Sequence, residues 1–365
     1  MEVRLEQGSD TWKKWVNVPI PVFIKFRFFN ITNYDQFEQG VKPRVEEVGP
    51  YTYEEKRKKQ ILAIDKEQDT IRYRQHIHYY FREDLSAGRE SDRVILVNVP
   101  FVSVAKISSQ RTNFQLAHTF TDRTLRDRGE RLFNRYTIRQ NLFDGFSVQT
   151  YVNFLSNPMI QLVGTVNMPI SFNGSRFGFY KGRNGSDDGE MVVSSGTRVP
   201  EDFGKILSWE GKTRLDFWEG NCNLINGTDG SIFRPFIKKT DILRFYAPEL
   251  CRSLLLVYVK EVTVKGISGY RFQLPHPKYI FESKDFCFCT PKSKSCLKQG
   301  VFDLSPCRDG APISFSAPHF FQSWEPYLNG VDGLSPSEEK HDTFVDIEPT
   351  TGLLLRAIKR VQFNV

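Results

Sequence analysis

The residues with the most chemical potential are six cysteines, and all of them lie late in the chain: Cys222, Cys251, Cys287, Cys289, Cys296 and Cys307. Thiols can hold a metal, act as nucleophiles or pair as disulfides. A zinc site would want C-x2-C pairs, or a Cys pair with a nearby His pair. Here Cys287 and Cys289 form C-x-C and no matching partner pair follows. An even, clustered set favours disulfides made in an oxidising compartment, and paired cysteines carry no thiolate for attack. Spacing alone does not choose among the connectivities.

Arginines form the second constellation. From Lys106 to Arg139 the chain carries eight basic residues against Asp122, Asp127 and Glu130, while the whole chain is only +7. Arg126, Arg128, Arg131, Arg135 and Arg139 make the core of this cluster. A focused positive surface attracts anions: acidic protein faces, lipid head groups, fatty-acid carboxylates or nucleic acid. The bland alternative is a solvated helix face. No recognisable nucleic-acid module surrounds the cluster, so nucleic acid is not expected as a partner.

Other candidates are weaker. His76 and His78 sit two apart on a strand, but no third ligand is near, so no metal is expected. Glu338, Glu339 and His341 are a local carboxylate–histidine group on what reads as a solvated loop. There is no G-x-S-x-G elbow, P-loop, G-x-G-x-x-G or H-E-x-x-H. The chain is read as no enzyme, with no cofactor.

The elements that must carry these groups are mostly strands. The chain has 365 residues, 39% hydrophobic and 25% charged, with 31 Phe, 14 Tyr and 5 Trp. That length suits two domains or one large β-rich domain, and the aromatic load suits strands. Phe23–Phe29 and Ile71–Tyr79 read as strands, the second alternating apolar and polar residues. Val45–Tyr53 reads as a turn and strand, and Lys56–Lys59 as a solvated strand end or hairpin turn. From Asn113 to Pro158 the pattern changes: Leu125, Leu132, Phe133, Tyr136, Phe143 and Phe146 recur at loosely helical spacing, predicting two or three helices that carry the arginines. Leu353–Val365 alternates as a closing strand.

No apolar run approaches the ~18 residues of a membrane span, and the first ten residues are polar, so the chain as written reads as soluble and globular. Four sequons, at Asn30, Asn173, Asn184 and Asn226, nevertheless join the cysteines in favouring a lumenal or extracellular chain. A fragment whose targeting and anchoring segments lie outside it reconciles the two signals.

An ordered set of motifs then resembles a known family: VGPYTY at Val48–Tyr53, GKTRLDFW at Gly211–Trp218, CNLINGTD at Cys222–Asp229, LCRS at Leu250–Ser253, KGI at Lys265–Ile267 with YRF at Tyr270–Phe272, CFC at Cys287–Cys289, PHF at Pro318–Phe320 and DIEPTTG at Asp346–Gly352. Together they are similar to the ectodomain of the class B scavenger receptors, whose branches include plasma-membrane, lysosomal and insect sensory proteins. The resemblance implies a mainly β, α+β fold. This is a large irregular antiparallel β-barrel with an apical helical bundle and an internal hydrophobic tunnel. Residues 1–365 would be a single ectodomain truncated at both ends, with 106–158 the apical bundle and 222–307 a disulfide-rich segment. Two terminal membrane helices would lie outside the chain. The implied disulfides are Cys222–Cys287, Cys251–Cys307 and Cys289–Cys296.

The implied function is reception of lipids at the basic apex and their passage through the tunnel to the membrane. Expected partners are long-chain fatty acids, sterols, phospholipids or lipoproteins, at the plasma membrane or in the lysosome. In Leu142–Phe146, Asp144 stands where the family usually has Trp. A second implied reading is a lysosomal docking receptor that carries a lumenal enzyme on its apical helices, suggested by WEGKTRLDFW at Trp209–Trp218. Tyr136, where a titrating His might stand, speaks against it.

Overall fold

A computed structural model describes residues 4–19, 22–111, 115–158, 175–281, 287–289, 296–308 and 310–365. Among these the main sheet has ten strands, numbered here in chain order. They are β1 (Val22–Ile31), β2 (Val45–Asp65), β3 (Thr70–Phe81), β4 (Asp187–Ser194), β5 (Ile206–Trp209), β6 (Leu243–Ala247), β7 (Arg252–Val264), β8 (Ile267–Gln273), β9 (Phe344–Ile347) and β10 (Leu354–Lys359).

Their order around the sheet is β6-β7-β8-β9-β10-β1-β2-β3-β4-β5, which is chain order rotated by half. Every neighbour is antiparallel except β10 and β1, which run parallel through Phe23 and Ile358. This is a nearly closed barrel, with β5 and β6 at the edges. The gap between them is bridged by Gly227–Thr228. Ile206 N–H donates to the Gly227 carbonyl at 2.8 Å, while Thr228 exchanges backbone bonds with Arg244 (3.1 Å) and Tyr246 (2.8 Å). Gly227 has φ +89°, and a Cβ there would lie 2.1 Å from the Arg244 carbonyl oxygen, so only glycine lets the seam close.

The barrel wall follows from period-2 alternation. Along β3, Ile71, Tyr73, Gln75 and Ile77 are buried while Arg72 and His78 are exposed. The same rule corrects the reading of Lys56–Lys59. This run is neither a strand end nor a turn but the middle of β2. Lys56 and Lys58 point outward and Arg57 and Lys59 inward, because acids inside the barrel receive them. Helix α1 (Asp10–Val16) is capped by Ser9, whose hydroxyl accepts from Trp12 N–H at 3.1 Å. It lays Trp12 and Trp15 on the core, Trp15 edge-on to Tyr73.

The stretch expected to be helical is mixed. Helices α2 (Val99–Arg111), α3 (Gln115–Asp127) and α4 (Gln149–Leu155) are present, but Phe133–Thr137 is a strand paired with Arg93–Val97. A π-turn at Gln140–Asp144 follows. The aromatics at 133 and 136 fit a loose helical period, yet strand pairing buries the apolar flank of Tyr136 by stacking it on Phe146 at 4.2 Å. The closing strand is also interrupted. A bulge at Leu355 resets the alternation, so Leu354 and Ala357, three apart, share the inner face, and Gln362–Asn364 departs to join a small sheet with Ser314–Ser316 and Val301–Asp303.

Candidate functional site: the barrel cavity, the arginines and a histidine pair

The barrel encloses a cavity of about 320 Å³. Most strands of the wall contribute to it. Its lining is predominantly apolar, with Ile24, Ile77, Met191, Leu256, Phe344 and Phe363 among the contributors. A set of ionised groups interrupts this wall on one flank: Arg57, Arg183, Asp188, Glu249 and Lys359. Towards α1 the interior is filled instead. There Lys59 Nζ lies 3.0 Å from Asp229 and donates to Gln75 Oε1, Ser231 Oγ and the Trp15 carbonyl. Burial pushes the Lys59 ammonium down, against the pull of Asp229. For Asp229, burial works upward but is outweighed by Lys59 and the Ser231 hydrogen bonds, leaving it at about 2.

The five arginines of the basic cluster separate into distinct environments. Arg126, on α3, is committed to Asp122 at 3.0 Å and Glu38 at 3.3 Å. Arg139 is committed to Asp144 at 3.0 Å and Glu90 at 3.3 Å. Asp144 therefore serves as an arginine partner. Arg131, in the turn, donates to the carbonyls of Arg126 and Glu130, both at 2.8 Å. Arg128, just past α3, and Arg135, on the strand Phe133–Thr137, are exposed and make no ion pair among the described residues. Of the five, Arg126 lies on α3 and Arg139 on the short helical turn that leads into Gln140–Asp144, while Arg128, Arg131 and Arg135 lie off the helices; the expectation of a continuous helical arginine face is corrected accordingly.

The six cysteines pair as Cys222–Cys287, Cys251–Cys307 and Cys289–Cys296, with Cα–Cα separations of 5.6, 6.5 and 5.3 Å. These are the pairs the resemblance implied. Beside them Arg252 is buried among the Trp218, Phe288 and Phe302 rings, its guanidinium carbon 4.5, 4.4 and 5.2 Å from their centroids. Burial lowers this arginine to about 9. Of the sequons, Asn184 is exposed in a turn, and Asn30 and Asn226 are half-buried; Asn173 lies outside the described residues.

One constellation was missed. His341, read as part of an exposed group with Glu338 and Glu339, turns away from them and is buried against His319 and Glu47, while both glutamates stay exposed. The imidazoles stack at 4.3 Å. His319 Nε2 hydrogen-bonds Glu47, which also pairs with Arg27. Three ligand-type atoms lie within 4.8 Å of one another. Their tautomers nevertheless oppose metal binding. Ser335 N–H donates to His319 Nδ1 and Ser337 N–H to His341 Nδ1, both at 2.9 Å. Each neutral ring must then carry its proton on Nε2, the atom facing Glu47. A metal-bound histidine has the reverse arrangement, with a second N–H donating outward. No local sequence signal joins residues 47, 319 and 341. His319 belonged to the PHF motif, but its partners are brought by the fold.

The comparisons with known proteins decide what kind of molecule this is. The CD36 family model matches residues 1–365. This chain belongs to the CD36 family. It is 35% identical to lysosome membrane protein 2 of Homo sapiens over 366 residues, covering 100% of the chain and 73% of that protein. Identity is 33% to sensory neuron membrane protein 1 of Apis mellifera, covering 100% and 71%, and 31% to scavenger receptor class B member 1 of Sus scrofa, covering 100% and 69%. CD36 family membership makes the chain a class B receptor rather than an enzyme. Among its described residues no helix is long and apolar enough to cross a membrane.

Proposed function

We propose that this chain is the lumenal or extracellular part of a membrane-anchored receptor that takes lipid from particles or membranes and passes it through the barrel. The observation that carries the reading is the apolar cavity inside a wall that would otherwise pack solid. Unfilled apolar volume forfeits packing energy, so a cavity of this size in a barrel is best explained by an occupant. Hiding a lipid chain from water is favourable by about 25 cal/mol per Å² of apolar surface. Arg128 and Arg135 offer unpaired guanidinium groups to phospholipid or carboxylate head groups at the entry surface. A lysosomal setting is supported by the likeness to lysosome membrane protein 2, and a plasma-membrane setting by that to scavenger receptor class B member 1.

Mass spectrometry of lipids co-purified with the full-length glycosylated protein tests the conduit. Long-chain fatty acids, sterols or phospholipids are expected at near one per chain. A lipid-free protein whose cavity rejects added lipid would overturn it. Enzyme carriage at the apex is the second reading, favoured by the Trp209–Trp218 segment. Pull-down of lumenal enzymes, compared with lipoprotein capture by the same Arg-to-Glu variants, separates the two.

A further inference from the structure

The cavity wall contains a feature that lipid passage alone does not require. Six ionised side chains are gathered where apolar ones would be cheaper to bury. Glu55 takes Arg57 through two nitrogens, at 3.0 Å from Nε. Arg183 reaches Asp188 by a single contact of 3.4 Å, and Lys359 reaches Glu249 by a single contact of 3.2 Å. Lys359 therefore uses one of three donors and Arg183 one of five. Tyr246 is 2% exposed, and among the described residues its hydroxyl has no hydrogen-bond partner; nor do the Tyr79 and Tyr180 hydroxyls. All of these side chains line the same cavity. Spare donors on cations that line an apolar chamber call for an anionic oxygen.

We propose that Arg183, Lys359 and Tyr246 form a head-group station for a long-chain carboxylate, whose tail lies along the apolar wall and whose entry is accompanied by uptake of one proton on Asp188. This rests on the lipid-conduit reading above and names a stop within it. Within these six residues the charges balance when one proton is taken up. Three cations and three carboxylates are neutral; an added carboxylate makes the cluster −1, and one proton from solvent restores zero. Asp188 is the acceptor because it faces a like charge, Glu249, together with Arg57, Arg183 and Lys359 and the phenols of Tyr73, Tyr79 and Tyr246. Burial and the Glu249 charge push its carboxyl above the ordinary carboxylate range against the three cations, while Lys359 and Arg57 outweigh burial to hold Glu249 low.

The experiment is equilibrium binding of tritiated hexadecanol, palmitate and hexadecanesulfonate, delivered from cyclodextrin to the full-length receptor in nanodiscs. The sulfonate keeps its charge at every pH used. Its affinity should rise about tenfold per unit of pH falling from 7.5 towards 6, and that of hexadecanol should stay flat. Asp188→Asn, which makes the cluster permanently +1, should bind palmitate and sulfonate roughly tenfold tighter at pH 7.5 and lose the pH dependence. A purely structural Asp188 would instead give weaker or unchanged binding. Equal, pH-independent binding of all three probes would overturn the station and leave the conduit standing. No binding of any probe would overturn the conduit itself.

Discussion

Lys59 and Asp229 meet 3.0 Å apart inside the barrel, one from β2 and the other from the residue that follows the seam-closing pair Gly227–Thr228. Tyr73, on β3, donates its hydroxyl to the same carboxylate at 2.9 Å. The irregular segment that completes the wall is thus pinned from within. Both side chains are buried, so removing one partner strands the other. Lys59→Met should cost about 3–5 kcal/mol, and Lys59→Met with Asp229→Leu markedly less. Chemical denaturation of the single and double variants checks this. Because Asp229 is held at about 2 in the folded state, its contribution is complete above the ordinary carboxylate range and fades only as pH falls towards 2.

Gly227 gives the backbone counterpart. A methyl group there collides with the Arg244 carbonyl and sits at φ +89°. Gly227→Ala should destabilise by more than about 1 kcal/mol and raise hydrogen exchange at Ile206 and Tyr246, whose amides bond across the seam. Gly211, with a similar φ but open space around it, provides the control: Gly211→Ala should cost less.

The buried histidines predict an acid effect of definite sign. Burial lowers His341 to about 4, helped by the His319 charge and opposed by Glu47. The folded state therefore binds this proton less readily than the unfolded chain. Stability should fall as pH drops from about 6.5 to 4, by up to roughly 3 kcal/mol from this group. Protonation would also set an Nδ1 proton against Ser337 N–H. Thermal melts of wild type and His341→Gln across that range should converge at low pH, since the variant lacks the titrating group.

At the basic surface, the paired and unpaired arginines should behave differently. Arg128→Glu with Arg135→Glu should reduce binding to phosphatidylserine vesicles at least about tenfold with the melting temperature unchanged. Arg126→Glu should also lower stability, because it faces Asp122 and Glu38. Vesicle co-sedimentation at several salt concentrations, alongside melts, distinguishes the two outcomes.

How much of this could be seen in the residues alone depended on sequence distance. The alternation at Ile71–Tyr79 gave β3 directly, and the motif set led to the family and the disulfide pairs. Lys56–Lys59 was misread because four consecutive cations look solvated; only the acids at positions 55 and 229 make an inward Arg57 and Lys59 tenable. Tyr136 and Phe133 fitted a helix until their partner strand at Arg93–Val97 was known. The cavity cluster and the Glu47–His319–His341 group join residues as many as 304 positions apart, Glu55 and Lys359, and no local pattern encodes such meetings.

The aromatic seat of Arg252 has an optical consequence. Phe288, one wall of that seat, sits between Cys287 and Cys289, and Trp218, an adjoining wall packed edge-on against it at 5.4 Å, donates its indole N–H to the Cys251 carbonyl at 2.6 Å. Reducing the bridges loosens both walls at once, and the indole passes from a dry, cation-stacked niche into water. Trp218 is thereby a built-in fluorophore for the redox integrity of the receptor, readable as the emission difference between wild type and Trp218→Phe.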